Sequence, residues 1–303
     1  MGTNDGVRSI LVTGATGLVG TALVVALRQD DREVRTLSRR PAGEHAFKWN
    51  PARGELDDRA FENLDAVVHL AGEPIGDGRW TDARKRAIRE SRVRGTDMIA
   101  RAVSLARTPP RVLISASAVG YYGDRGEETV DEASRNGSGF LAEVCVAWEA
   151  AADPARSAGI RVVHPRIGLV VASEGGALSH MVTPFRLGLG GPIGSGRQWM
   201  SWIHLDDLVA VLRLLLDDSA FTGPVNAVTP MPVRNAEFVA ALAKALHRPS
   251  FLPMPSLAVQ LLFGEMGQHL LLEGAKVRPA RLEEAGFAWR HPEIAEAIAS
   301  AVG

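Results

Sequence analysis

Through residue 165 the chain alternates short β-branched apolar runs with longer stretches of helical periodicity. The apolar runs predict strands at residues 9–13, 33–38, 46–49, 66–70, 112–116 and 161–165. Helices are expected over 18–29, 81–106 and 139–158. In the second helix Ile88, Gly95, Ile99 and Val103 recur near helical spacing, which gives one buried face. The run Ala66-Val67-Val68-His69-Leu70 is apolar nearly throughout rather than alternating, as expected where helices cover both faces of a sheet. Strands alternating with helices imply βαβ units. The expected fold is α/β, a Rossmann-type doubly wound parallel sheet.

Beyond Arg166 the rhythm changes. Gly and Pro crowd residues 188–196, a long loop of the kind that carries function or joins lobes. A helix over 206–216 and a strand over 225–228 return to the sheet. From Pro230 the pattern is helical, broken at Pro249, Pro253, Pro255, Pro279 and Pro292. Residues 1–229 are therefore expected to form the Rossmann-type domain and 230–303 a smaller, mainly helical C-terminal lobe. Residues 169–204 are expected to contribute to a substrate cleft between them.

Composition narrows the partners. The 303 residues are 46% hydrophobic and 23% charged, which suits a soluble globular chain. Lys plus Arg number 34 against 35 acids, for a net charge of −1, so the basic excess of a nucleic-acid binder is missing. A single cysteine, Cys145, excludes an internal disulfide framework and fits a reducing compartment, so a cytoplasmic protein is expected. The most apolar stretch, residues 18–27, is half the length that spans a bilayer and lacks a basic leader, so no membrane association is expected. Only four lysines (Lys48, Lys85, Lys244, Lys276) and two tyrosines (Tyr121, Tyr122) are present.

Gly14-Ala15-Thr16-Gly17-Leu18-Val19-Gly20 follows a predicted strand and opens a predicted helix. Glycines permit a tight turn and close backbone approach to a pyrophosphate, and the helix start offers free N–H groups. The spacing G-x-x-G-x-x-G in that setting points to a dinucleotide. At the end of the second strand stands Leu37-Ser38-Arg39-Arg40, with no acid until Glu44. An acid there would bind a ribose 2′-hydroxyl, whereas the planar, permanently charged Arg39 suits a 2′-phosphate. NADP(H) is the expected cofactor.

Three further stretches carry a resemblance: residues 67–74 (VVHLAGEP), 115–123 (SASAVGYYG) and 188–207, including Gly194-Ser195-Gly196-Arg197-Gln198 and Trp202-Ile203-His204-Leu205-Asp206-Asp207. The sequence resembles the extended short-chain dehydrogenase/reductase superfamily, and within it the epimerase-like subfamily labelled nucleoside-diphosphate-sugar epimerase. Its C-terminal part resembles that subfamily's domain of unknown function. The resemblance implies that Gly14, Ala15, Thr16, Gly17, Leu18 and Val19 wrap a pyrophosphate, and that Ser38 and Arg39 hold a 2′-phosphate. It implies that Leu70, Ala71 and Gly72 lie along the cofactor ribose, and that the segment around Arg166 flanks the nicotinamide.

Superfamily redox enzymes pair a Ser with a Tyr-x-x-x-Lys one helix later. Ser117 matches the serine. No register supplies the pair, because the tyrosines' i+4 neighbours are Arg125 and Gly126 and no lysine lies between Lys85 and Lys244. Ser117, Tyr121, Tyr122 and Glu73 are the candidate catalytic residues. Two readings stand: an NADP(H)-dependent oxidoreductase or epimerase-like enzyme on a small, sugar-derived substrate, or a non-catalytic NADP(H)-binding module that senses redox state. Nucleotide-sugar enzymes of the superfamily often carry Arg two residues before Trp202, where this chain has Met200; Arg197 is the substitute nearby. The basic run from Arg79 to Arg94 reads as a solvated helix face, with Arg92 set apart because Ser91-Arg92 matches a recurring pair of the subfamily. His204 and Asp207 read as capping and interlobe residues with no metal implied. A homodimer is left open.

Overall fold

The computed structural model describes residues 6–302. Its chain runs through β1 (Ser9–Thr13), α1 (Leu18–Gln29), β2 (Glu33–Ser38), β3 (Ala46–Asn50), β4 (Glu55–Leu56) and β5 (Ala66–His69). It continues into α2 (Asp82–Leu105), β6 (Val112–Ser115), β7 (Ser117–Ala118), α3 (Phe140–Ala150) and α4 (Asp153–Ser157). Strands Arg161–Ile167 and Gly223–Ala227 complete the main sheet, with α5 (Gly176–Arg186) and α6 (Leu205–Asp217) between them.

From β1 the chain builds outward through β2 and β3. It then crosses back to β5 and builds the other way through β6, Arg161–Ile167 and Gly223–Ala227. These strands pair in parallel; β4 runs antiparallel on the edge. The reversal falls between β1 and β5, so a crevice opens at their carboxyl ends, where an open α/β sheet takes its ligand.

The apolar runs follow from this layering. Successive strand residues point to opposite faces. Ile10, Val12, Val68 and Ile114 pack with Leu23 and Leu27 of α1 and Leu208 and Leu212 of α6. Leu11, Val67 and Leu113 pack on the other face, with Ile99 and Val103 of α2 and with Ala155 of α4. Both faces are covered, so neither register of the alternation is free to be polar.

Two local details position the site. The helix expected over 139–158 is two helices, because Pro154 has no N–H and its ring collides with the carbonyl four residues back, at Ala150, where α3 ends. The strand expected over 161–165 runs on to Ile167. Its Pro165 falls at an interruption in the ladder: β6 pairs as far as Ile114↔Val163, and β7 resumes with Ser117↔Arg166. That resumption sets Ser117 directly beside Arg166.

A separate core joins Val171, Leu178, Phe185 and Trp202 to Phe238, Val239, Leu242, Ala297 and Ile298. Residues 171–202 thus pack against the helices near the C-terminus. Asp207 ties the same parts together by accepting the backbone N–H groups of Arg290 (2.7 Å) and His291 (3.0 Å), while His204 caps α6 by accepting from Asp206 N. Both agree with the capping and interlobe roles expected of these residues. No described helix is long and apolar enough to cross a membrane.

Candidate functional site

At the carboxyl end of β1 the site is made of backbone. Gly14 has φ of 70°, and a Cβ there would sit 2.9 Å from Ala71 N, so the turn lies directly on the segment after β5. A Cβ on Gly20 would stand 2.1 Å from Gly14 O, so only glycine lets α1 seat on the turn. Gly17 N donates to Gly14 O, and as the α1 N-cap it brings no capping side chain. Among the described residues the first-turn N–H groups therefore keep no side-chain acceptor, at the positive end of the helix dipole. Thr16 and Gly17 are exposed, with Ala15, Leu18 and Val19 half-buried beside them. This cradle fits a dinucleotide pyrophosphate.

Behind the turn, Thr13 Oγ1 lies 2.6 Å from His69 Nδ1 and accepts from Ala71 N at 3.3 Å. Burial drives the His69 pKa down to about 4. The neutral ring shares a hydrogen bond with the threonine hydroxyl and links the ends of β1 and β5. Ser38 closes β2, half-buried. Arg39 follows with 75% of its side chain exposed, its guanidinium 3.9 Å from Glu73; Glu73 also lies 3.5 Å from Arg84. Leu70 and Ala71 are half-buried next to the glycine turn. Gly72 rests on the Arg92 guanidinium, 3.3 Å from where a Cβ would be.

At the carboxyl ends of β7 and the Arg161–Ile167 strand the site is made of side chains. Ser117 Oγ donates to Glu149 Oε1 at 2.7 Å. Arg166 grips both oxygens of that carboxylate, Nε to Oε1 at 2.8 Å and Nη2 to Oε2 at 2.9 Å. Its Nη1 donates to Tyr122 Oη at 2.9 Å, and Tyr122 donates onward to Asn226 Oδ1 at 2.7 Å. The Tyr121 ring lies over the Arg166 guanidinium, 3.4 Å from its centroid. Burial works against the Arg166 charge, yet the Glu149 carboxylate more than offsets it and holds the pKa above its ordinary value. Burial pushes Tyr122 up to about 12, against the pull of Arg166. Cys145, one helical turn before Glu149, is pushed up to about 11, first by burial and then by Glu149, with Arg92 and the Ser117 hydroxyl pulling the other way. Tyr122 and Cys145 are therefore neutral at pH 7.

The two ends gather most of the predicted residues around the mouth of the sheet. Tyr122 is fully buried with both hydrogen-bonding roles of its hydroxyl taken, and Arg166 faces Glu149 and the tyrosines. Sequence reasoning missed Glu149. Its signal was available in the spacing, because Cys145 and Glu149 stand four apart on the helix that follows Ser117 and so share a face. Trp49, Trp80 and Trp202 are buried in apolar clusters, whereas Trp199 lies under the Arg234 guanidinium at 3.8 Å. Met200 packs at the rim of the C-terminal core and Arg197 is exposed. Of the basic run, Arg86, Arg89 and Arg94 are solvated, while Lys85 reaches Glu265 at 2.7 Å.

The sheet order, the switch point and the glycine turn define a Rossmann-type protein of the short-chain dehydrogenase/reductase class. Residues 10–227 match the model of the NAD dependent epimerase/dehydratase family, and the chain belongs to that family. Residues 254–301 match a domain of unknown function, DUF1731. An epimerase family protein of Mycobacterium bovis is 44% identical, over 95% of this chain and 96% of that protein. The human epimerase family protein SDR39U1, solved with NADPH, superposes with a TM-score of 0.87 at 37% identity, over 97% of this chain and 99% of that one. A UDP-glucose 4-epimerase of Thermus thermophilus, solved with NAD, shares the fold at a TM-score of 0.77 and 18% identity, over 97% of this chain and 98% of that one.

Proposed function

We propose that this chain is an NADP(H)-dependent oxidoreductase or epimerase-like enzyme acting on a small, sugar-derived substrate. The observation that carries the reading is the Ser117–Glu149 hydrogen bond on the same edge of the sheet as the glycine cradle. NADP(H) lies on Gly14–Val19, with Ser38 and Arg39 at its 2′-phosphate and Leu70–Gly72 along its ribose. The human relative solved with NADPH supports that choice. When bound, the cofactor supplies or takes up hydride at the nicotinamide ring. Residues 169–204 and 230–302 form the wall of the substrate cleft opposite the sheet.

Ser117 is the residue that meets the reacting oxygen. A carboxylate has no proton to give, so the Ser117 hydroxyl hydrogen is committed to Glu149 and the serine offers lone pairs. It therefore takes a substrate hydroxyl as a donor. On oxidation that hydroxyl's proton passes to Ser117 Oγ as the Ser117 proton passes to Glu149, which the Arg166 fork keeps in register. Tyr122 and Tyr121 position Arg166, and Glu73 faces the Arg39 guanidinium that the 2′-phosphate would take. Incubation of the protein and NADP⁺ with a panel of sugars and secondary alcohols, and with NADPH and the matching carbonyls, should change absorbance at the nicotinamide band. Ser117→Ala should reduce that turnover about 100-fold with NADP(H) affinity retained. Absence of turnover across the panel in protein that binds NADP(H) would remove the enzymatic reading.

A second reading is favoured by one further contact set. The segment after β5 touches Arg39 through Glu73 and touches the C-terminal part through Lys85–Glu265 and the stacked Trp80–His269 pair. A redox-sensing module would use this segment to report the cofactor state. It requires NADPH and NADP⁺ to bind with different affinities, because equal binding shifts no equilibrium.

A further inference from the structure

Arg92 is set apart from the other arginines of α2 by what surrounds it. Arg84 has Glu73 and Arg101 has Asp97, but among the described residues no carboxylate lies within ion-pair distance of Arg92. Its Nη1 donates to two backbone carbonyls, Glu73 O at 3.0 Å and Ile88 O at 3.1 Å. Nε and Nη2 carry no hydrogen bond among the described residues. One contact surface of the guanidinium is Gly72 and another is the Trp148 ring, 5.0 Å away. The group is largely withdrawn from water, and burial lowers its pKa.

A cation so placed has given up much of its hydration without a carboxylate in direct contact, and the more distant Glu73 charge, carbonyl dipoles and a ring offset only part of that cost. Its position is informative too. Arg92 meets α3 through Trp148, the Cys145 thiol of that helix lies 3.7 Å from the carbonyl of Ala118 next to Ser117, and Gly72 lies in the segment that follows β5. Arg92 thus spans from the segment assigned to the cofactor ribose to α3, where Trp148 directly precedes the Glu149 that holds Ser117.

We propose that Arg92 is the anion subsite of the cleft, taking a carboxylate or phosphate carried by the substrate whose hydroxyl meets Ser117. The inference rests on the enzymatic reading above and narrows its substrate class to small anionic hydroxy compounds, such as sugar acids or sugar phosphates. The planar fork suits either anion by two parallel hydrogen bonds. Glycine at 72 lets the guanidinium lie against the backbone, where a larger side chain would displace it.

The test uses the full chain saturated with NADPH, so that the glycine turn and Arg39 are already occupied. NADPH affinity is measured first; failure there overturns the enzymatic reading and this one with it. Acetate and inorganic phosphate are then titrated separately while the arginine Nε–H resonances are followed, with Arg92 assigned by the signal missing from Arg92→Lys. A saturable shift of the Arg92 signal, with the Arg166 signal unmoved, is the expected result. The anion that binds more tightly tells a carboxylate substrate from a phosphorylated one. Calorimetry on Arg92→Gln should show at least a tenfold loss of that anion's affinity, with NADPH affinity kept. If NADPH binds normally and neither anion moves the Arg92 signal, or if Arg92→Gln binds the anion as the parent does, Arg92 is a structural brace for residues 72–74 and the subsite is overturned. The resonance titration needs no loss-of-charge variant, so a poorly folding Arg92→Gln would still leave the proposal open to refutation.

Discussion

The glycine turn and the Ser117 end sit on the same edge of one sheet but are built from different material. At the turn, function resides in peptide N–H groups, and the side chains are chosen for what they leave out: a Cβ on Gly14 or Gly20 would meet backbone. At the other end, five side chains from separated parts of the chain, Ser117, Tyr122, Glu149, Arg166 and Asn226, complete one another's hydrogen bonds. A backbone site tolerates change wherever space allows. A side-chain network fails at whichever member is removed, because the remaining groups are buried and lose their partner.

That difference is sharpest in stability. Arg166 is 3% exposed and Glu149 14%, so removing either strands the other's charge. Arg166→Met should destabilise the fold by about 3–5 kcal/mol in urea unfolding. Combining it with Glu149→Leu should recover part of the loss, since the double variant buries no lone charge. Additive losses would show that the pair is not coupled, and would break the distinction between the two ends.

The same contrast explains what could be read from the chain beforehand. The turn is contiguous, so glycine spacing between a strand and a helix signals it. The sheet was legible for a related reason: Ile10, Leu11 and Val12 are all apolar because successive residues serve opposite cores. The network was not legible, because its members lie up to 109 residues apart, from Ser117 to Asn226, and only the ladder that resumes after Pro165 brings Ser117 beside Arg166. Reading the helix after Ser117 for Tyr and Lys found neither. The acid four residues beyond Cys145 carries meaning only once Arg166 is seen to face it. Arg92 had a signal in sequence, but its want of a counter-ion is a three-dimensional fact.

His69 tests how far the turn is independent of side chains. It is buried and neutral, with its pKa lowered from 6.5 to about 4. The unfolded chain takes up a proton on this residue below about pH 6.5, and the folded chain does not until about pH 4. Its contribution is therefore complete above pH 6.5 and is lost as pH falls through that window, by about 3 kcal/mol in all. Chemical denaturation between pH 7 and 4 should show this slope in the parent and a flatter one in His69→Gln. If NADPH binding at pH 5 also weakens in step, the turn depends on the Thr13–His69 brace; unchanged binding would keep the turn a purely backbone device.

The smallest effect belongs to the residue where the turn does use a side chain. Arg39 is mostly exposed and lies 3.9 Å from Glu73, so it contributes to stability only weakly. Its weight should appear in selectivity instead. A guanidinium facing a 2′-phosphate gains a charge-assisted pair that NAD(H) cannot form. Arg39→Ala should weaken NADPH binding by about tenfold while leaving NADH binding nearly unchanged. Glu73→Gln should act in the opposite sense, because the carboxylate competes with the phosphate for the same guanidinium. Equal losses for both cofactors in Arg39→Ala would mean that the residue holds the strand end rather than the phosphate, and the cofactor end would then be made of backbone alone.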